Sequence, residues 1–204
     1  MTAARFVVFE GGDGSGKSTQ AVATAATLRA RGLTVCETFE PGGTDLGAVV
    51  RAALLHGRDP VAPVAEALLM AADRAQHVSE VVSPALARGE WVVSDRFLPS
   101  SLVYQGVVRG LGVDTVRELN AVAVGAVVPD AVVVLDVGDD EARARRSATA
   151  PDRIEGEGDA FHAAVADAYR ELARTEGWLV VDGAGPVGEV TGRVLTVLAP
   201  WLPT

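Results

Sequence analysis

Lysine is almost absent from this chain: of its 18 basic residues, every one but Lys17 is arginine. An arginine-biased sequence that keeps one ammonium needs a compact point charge there, because guanidinium is planar and too wide for a tight backbone cradle. Other absences exclude whole classes. A single cysteine, Cys36, rules out a disulfide framework or a cysteine metal cluster; buried packing and a reducing compartment are its expected setting. Positive charge is in deficit, with a formal net charge of −9, so the chain lacks the basic surface with which non-specific nucleic-acid binders displace counterions. No run of about 18 apolar residues occurs, and the start, "RFVVFE", has no basic segment followed by a long apolar one. The expectation is a soluble cytoplasmic protein whose partners include neither a membrane nor a nucleic-acid polymer. Internal repeats and low-complexity linkers are also missing, and 204 residues suit one domain spanning 1–204.

Short β-rich runs alternate with longer alanine-rich stretches of helical spacing. The strands are expected at Phe6–Glu10, Thr34–Phe39, Trp91–Asp95, Ala131–Val137 and Trp178–Asp182. Runs such as "VVVLDV", apolar on both faces, suit a parallel sheet covered by helices on each side. Such α/β sheets bind ligands at the carboxyl ends of their strands, so the functional residues should follow the strands.

The first of these ends carries "FEGGDGSGKSTQ". Gly11 to Ser18 satisfies G-x-x-x-x-G-K-[ST] after a strand and before a helix, the setting in which that pattern cradles phosphate. Backbone amides of Gly11, Gly12, Asp13, Gly14, Ser15 and Gly16 can encircle phosphate oxygens, and the helix start beginning with Lys17, Ser18 and Thr19 adds its positive dipole end. Lys17 bridges the β and γ phosphates of a nucleoside triphosphate such as ATP, and Ser18 supplies an oxygen for Mg2+. A phosphate site of this kind serves switches, motors and kinases alike. A second signal, "WVVSDRFLPSSLVYQG", leads through apolar residues to Asp95, placed to organise magnesium, and to Arg96 at the strand mouth.

Together "FEGGDGSGKSTQ", "EPGGT" from Glu40, "LLMAADRAQHV" from Leu68, "SDRFLPSSLVYQG" and "DRIE" from Asp152 resemble, in order and spacing, the bacterial thymidylate kinases. The resemblance spans nearly the whole chain. It implies a P-loop nucleoside-monophosphate-kinase fold with a five-stranded parallel sheet and a mobile lid, transfer of the ATP γ-phosphoryl group to dTMP, and a homodimer. It places Asp13 near the deoxyribose 3′-hydroxyl, Arg74 facing a thymine carbonyl, Tyr104 crowding the sugar 2′ position, and Ser101 and Gln105 around the base. Pro41 lies in the same acceptor set, and Arg51 and Arg96 are candidate partners of the acceptor phosphate.

Two departures from the family pattern lie on the acceptor side. Phe39 stands where the family usually has arginine before "EPGGT", and Met70 where a phenylalanine usually stacks on thymine. Both predict weaker dTMP binding with the chemistry retained. Gly14 selects the bacterial subclass that supplies its arginine from the lid, expected at about 143–158; Arg145 and Arg146 are the favoured catalytic arginines, with Arg153 supporting closure. No general base is needed, since an acceptor phosphate oxygen is already nucleophilic, and His56, His77 and His162 are read as ordinary helix or surface residues. Trp91 and Trp178 should pack at strand starts and Trp201 lies in the tail; the turn Asp182–Pro186 borders adenine by resemblance. Two alternatives stay open: a related deoxynucleoside monophosphate kinase with shifted acceptor preference, and a nucleotide-binding regulatory protein with weak transfer.

Overall fold

A computed structural model describes residues 3–57, 59–147 and 153–203. Five parallel strands form one sheet in the order β2-β3-β1-β4-β5: β1 is Phe6–Glu10, β2 Val35–Phe39, β3 Trp91–Asp95, β4 Ala131–Asp136 and β5 Leu179–Asp182. The expected strands are all present, and three are shorter by one residue: Thr34, Val137 and Trp178 fall outside the ladders.

Alternation along β1 decides the layers, because successive side chains point to opposite faces. Val7 and Phe9 pack with Trp91, Val133 and Leu135 beneath α1 (Lys17–Ala30) and, after β5, α9 (Val187–Val197). Phe6 and Val8 face the other way, against Val82, Ala85 and Phe97. Val82 and Ala85 lie on the connection that follows β2 through α2 (Asp45–His56), α3 (Pro63–His77), the π-helical turn 78–82 and α4 (Ser83–Ala87), and Phe97 follows β3. After β3 the chain forms α5 (Leu98–Ser101), a π-helical stretch over 102–108 and α6 (Val113–Val124). Beyond β4 come α7 (Asp139–Arg146) and α8 (Asp159–Glu176), whose Val165, Tyr169 and Leu172 close a further apolar cluster with Leu54, Leu102 and Val134.

Local sequence sets the helix ends. Thr44 caps α2 by accepting from the Gly47 amide at 3.0 Å, an arrangement worth about 1 kcal/mol, and Pro63 starts α3 where its missing N–H costs nothing. π turns are uncommon and recur at functional sites; the stretch 102–108 carries Tyr104 and Gln105.

Several expectations are corrected. Cys36 is half-buried, because β2 is a sheet edge with one open side. His77 is fully buried and His162 nearly so: the helices bearing them pack both residues inward, His77 onto Thr38 and Glu40 and His162 with its Nδ1 4.0 Å from Asp13 Oδ2. Trp201 does lie in the tail, as expected, and packs there against the core around Val194 and Leu198.

Candidate active site

The phosphate loop leaves β1 and enters α1 through Gly16, whose φ of 90° is left-handed. Lys17 and Ser18 therefore open the helix at its positive end. Lys17 is nearly buried, its Nζ 3.4 Å from the Gly12 carbonyl oxygen and 3.3 Å from Asp13 Oδ1. The compact ammonium is thus folded over the loop that supplies the cradle.

Ser18 Oγ bonds Asp95 Oδ2 across the gap between α1 and β3. The other carboxylate oxygen, Asp95 Oδ1, is buried with no hydrogen-bond partner among the described residues. A buried carboxylate oxygen left unpaired is costly, and a hydroxyl beside it completes a pair of hard oxygen donors. That donor set fits Mg2+, which binds through one or two protein oxygens with waters and substrate phosphates completing an octahedron. It fits no cage: among the described residues there is no cluster of three or more His, Cys, Asp or Glu able to hold a metal alone.

Arg96 follows Asp95 and is, among the described residues, the one non-glycine with positive φ, at 71°. Such a conformation costs on the order of 1–3 kcal/mol and persists where the surroundings over-determine it. Here they do: its amide donates to the Phe9 carbonyl at 2.9 Å, and its guanidinium reaches Asp13, Ser100 (2.9 Å), Tyr104 (3.3 Å) and Tyr169 (3.4 Å). Tyr104 also donates to Asp13 Oδ2 at 3.2 Å, and its ring lies under the guanidinium at 5.2 Å. Burial pushes the Asp13 carboxyl up, but the charges of Lys17 and Arg96 outweigh it and hold the group well below the usual carboxylate range. Asp13 is thus a fixed anion between two cations.

Behind this cluster Glu10 is wholly buried. It accepts from the Phe97 amide (2.9 Å), Ser100 Oγ (2.6 Å) and Tyr169 OH (2.7 Å). Burial raises its pKa, and the Arg96 charge with these bonds only partly offsets the rise.

In front lies a cleft of about 240 Å³, walled by Asp13, Pro41, Arg51, Met70, Arg74, Arg96, Ser101, Tyr104 and Gln105, and reaching Lys17, Ser18 and Asp95. The structure thereby collects every residue of the acceptor set read from the sequence around one opening that meets the phosphate loop. Arg74 enters it already engaged. Its Nε donates to Glu40 Oε2 at 2.9 Å, Nη1 to Ser101 Oγ at 3.1 Å and to Asn120, and Nη2 to the Phe97 carbonyl at 3.0 Å. Glu40 in turn accepts from His77 Nδ1 at 2.7 Å, and Thr38 Oγ1 lies 2.6 Å from Nε2 of the same ring. Arg51 donates to the Pro41 carbonyl at 2.8 Å and stands 5.9 Å from the centre of the Phe39 ring, so the exposed phenylalanine at the cleft mouth carries a guanidinium on its face.

The basic cluster of 143–153 divides; residues 148–152 lie outside the described residues. Arg145 Nη1 donates to the Gly14 and Ser15 carbonyls at 3.3 Å each and Nη2 to the Gly183 carbonyl at 3.2 Å, while Arg146 donates to the Asp13 carbonyl at 3.0 Å. Both brace the loop from its carbonyl side. Gly183 belongs to the turn expected to border adenine. Arg143 is exposed and pairs with Asp159 at 3.2 Å. Arg153 is elsewhere, bonded to the Leu54 carbonyl (2.6 Å) and Glu66 (2.7 Å) on the acceptor side. Gly14 has a steric reason beyond subclass: at φ 83°, a Cβ there would sit 2.4 Å from the Ala142 carbonyl oxygen of α7.

Sequence reasoning missed Glu10, Glu40, Glu66, His77, Asn120 and Tyr169. Each acts through another side chain; Glu10, Glu40 and His77 sit inside quoted motifs that could have drawn attention, whereas Glu66, Asn120 and Tyr169 lie outside them.

A glycine-rich loop on the central strand, a magnesium-type oxygen pair and an arginine-lined second cleft define a P-loop kinase of small phosphorylated acceptors. Residues 9–194 match the family model for thymidylate kinase. The chain is 50% identical to the thymidylate kinase of Leifsonia xyli subsp. xyli over 192 residues, 93% of this chain and 91% of that one. It is 45% identical to that of Rhizorhabdus wittichii over 205 residues, covering 98% and 99%, and 45% identical to that of a Synechococcus strain over 200 residues, covering 97% and 96%. This chain belongs to the thymidylate kinase family.

Proposed function

We propose that the chain transfers the γ-phosphoryl group of ATP to dTMP, giving dTDP and ADP, with both phosphate chains held over the carboxyl end of β1. The observation that carries this reading is the continuity of the arginine- and tyrosine-lined cleft with Lys17 and the Asp95–Ser18 pair. ATP belongs on the loop Gly11–Thr19, dTMP in the cleft, and Mg2+ on Ser18 and Asp95, where it would screen the charge of the phosphate oxygens. A dTMP phosphate oxygen attacks the γ-phosphorus as the bond to the ADP oxygen breaks. No proton need be removed first, so catalysis reduces to alignment and charge cancellation. Lys17 and Arg96 face the transferring group from loop and strand. Arg145 and Arg146 stabilise the loop that orients it, from within a lid of about 143–158, and closure of such a segment excludes water that competes with the acceptor.

Tyr104, clamped between Asp13 and Arg96, leaves little room beside a sugar 2′ carbon. Arg74, with its other four N–H groups engaged, keeps one Nη2 N–H for a pyrimidine carbonyl. The bacterial lid-arginine subclass agrees with Gly14 and the α7 arginines. For a homodimer, exposed Leu46, Val49 and Ala53 on α2 and Val64, Leu68, Ala72 and Ala75 on the neighbouring α3 follow helical spacing along one apolar face. A cytoplasmic setting agrees with the single half-buried thiol; among the described residues no helix is long and apolar enough to cross a membrane.

The test is a coupled ADP-release assay over a panel of nucleoside monophosphates. Dominant turnover with dTMP supports the reading; preference for another acceptor, or turnover that no acceptor stimulates, replaces it. Lys17→Ala should abolish transfer, and near-normal turnover in that variant would remove the loop from the mechanism.

A further inference from the structure

Glu66, on α3, is 1% exposed and lies outside every motif of the site. Three donors from two parts of the chain converge on it. Gln105 Nε2 donates to Oε1 at 2.9 Å, Arg153 Nη2 to Oε2 at 2.7 Å, and Arg109 Nε approaches Oε1 at 3.5 Å. Burial alone would push its carboxyl up, but the hydrogen bonds from Arg153 and Gln105 and the charges of Arg109 and Arg153 hold it below the usual carboxylate range. It is an anion at neutral pH.

That charge state settles the orientation of Gln105. An ionised carboxylate only accepts hydrogen bonds, so the Gln105 amide must turn its NH2 toward Glu66. Its carbonyl oxygen is then the group left for the cleft that Gln105 lines. An oxygen acceptor there is complementary to a ring N–H, such as N3–H of thymine, and opposed to the bare N3 of cytosine. The second bond has a different consequence. Arg153 is docked at three points: its amide donates to the Leu55 carbonyl at 3.1 Å, its Nε to the Leu54 carbonyl, and its Nη2 to Glu66. The next residue, Ile154, is buried and forms part of the cleft wall.

We propose that Glu66 is a positioning residue of the acceptor site, fixing the Gln105 amide with its oxygen toward the base and docking the Arg153–Ile154 turn as a wall of the same cleft. The role rests on the assignment of the cleft to dTMP, and it acts on acceptor binding, leaving the donor half alone.

Glu66→Gln tests it, because an amide at 66 can donate as well as accept and no longer dictates the Gln105 orientation. The expected result is a rise of about tenfold in KM for dTMP, the scale of one lost charge-assisted hydrogen bond. The preference for dTMP over dCMP should narrow, with kcat within about threefold of the parent and KM for ATP unchanged. In the unliganded full-length protein, hydrogen exchange of amides 153–157 should quicken in Glu66→Gln and in Arg153→Met, and the effect of Glu66→Gln on the dTMP KM should shrink when Arg153→Met is already present. Unchanged exchange with an unchanged dTMP KM overturns the proposal, as does a loss that falls on kcat or on both substrates alike. If Glu66→Gln does not fold, Arg153→Met decides alone: faster exchange with a higher dTMP KM supports docking, and a fall in kcat with exchange unaltered refutes it. A parent enzyme that prefers some other acceptor would unseat the dTMP assignment while leaving the exchange result to stand by itself.

Discussion

Ser18 and Asp95 meet side chain to side chain, joining the first turn of α1 to the end of β3, with the second Asp95 oxygen buried and unpartnered among the described residues. Asp95→Asn keeps the shape and removes the charge. The expected outcome is a fall in kcat on the order of 10²–10³, the scale seen when one preorganised electrostatic group is deleted, together with a Mg2+ requirement shifted to higher concentration. Titrating turnover against Mg2+ checks both; an unchanged metal dependence would separate Asp95 from the metal.

Gly14→Ala addresses the contact between the phosphate loop and α7. A left-handed conformation costs an L-residue about 1–2 kcal/mol, and the added methyl meets the Ala142 carbonyl besides. The melting temperature should fall by several degrees, and turnover should drop as Arg145 and Arg146 lose their seats on the loop carbonyls. Thermal unfolding with kinetics on the same preparation tests this, and a variant as stable and active as the parent would contradict the packing.

Phe39→Arg restores a cation at the cleft mouth, at the position that now supports Arg51. A charge-assisted contact to an acceptor phosphate is worth about 1.5–3 kcal/mol, so KM for dTMP should fall about tenfold or more. Phe39→Ala should raise it, since Arg51 would lose its platform. If neither substitution moves the dTMP KM, Phe39 does not face the acceptor.

Asp73 offers a pH test. Burial and the nearby Glu40 charge push its pKa up to about 6, against the pull of the Gly42 amide, His77 and Arg74, whereas its unfolded value is about 4. The folded chain thus holds this proton more tightly. The associated stability is complete below about pH 4 and is lost as pH rises through about 6. Asp73→Asn, which can still accept from Gly42, is never charged and escapes that loss. Denaturant unfolding between pH 4 and 7 should show the variant gaining on the parent as pH rises; parallel curves would refute the assignment.

The strands were legible because each is an apolar run bounded by turn residues, and the loop because its glycines, its lysine and its place between strand and helix coincide. Arg51, Arg74, Tyr104 and Gln105 were reached through family resemblance; spacing alone does not show that residues from 51 to 105 share one cleft. Glu66 and His77 stayed hidden for a physical reason: a buried ionisable residue looks, in sequence, like any polar residue on an amphipathic helix. The separation of Arg153 from Arg145 and Arg146 was equally illegible, because it depends on which carbonyls the folded chain brings within reach.

The strand order divides the labour between two flanks. Gly183 and α7 descend from β4 and β5 on one side of the central strand, while Phe39 ends β2 and Pro41 and Arg74 follow it on the other, and the two groups share little beyond the loop on β1. With the cleft taking the monophosphate as proposed, exchanges at positions such as 39 and 70 would retune which acceptor is bound while leaving the phosphate loop intact.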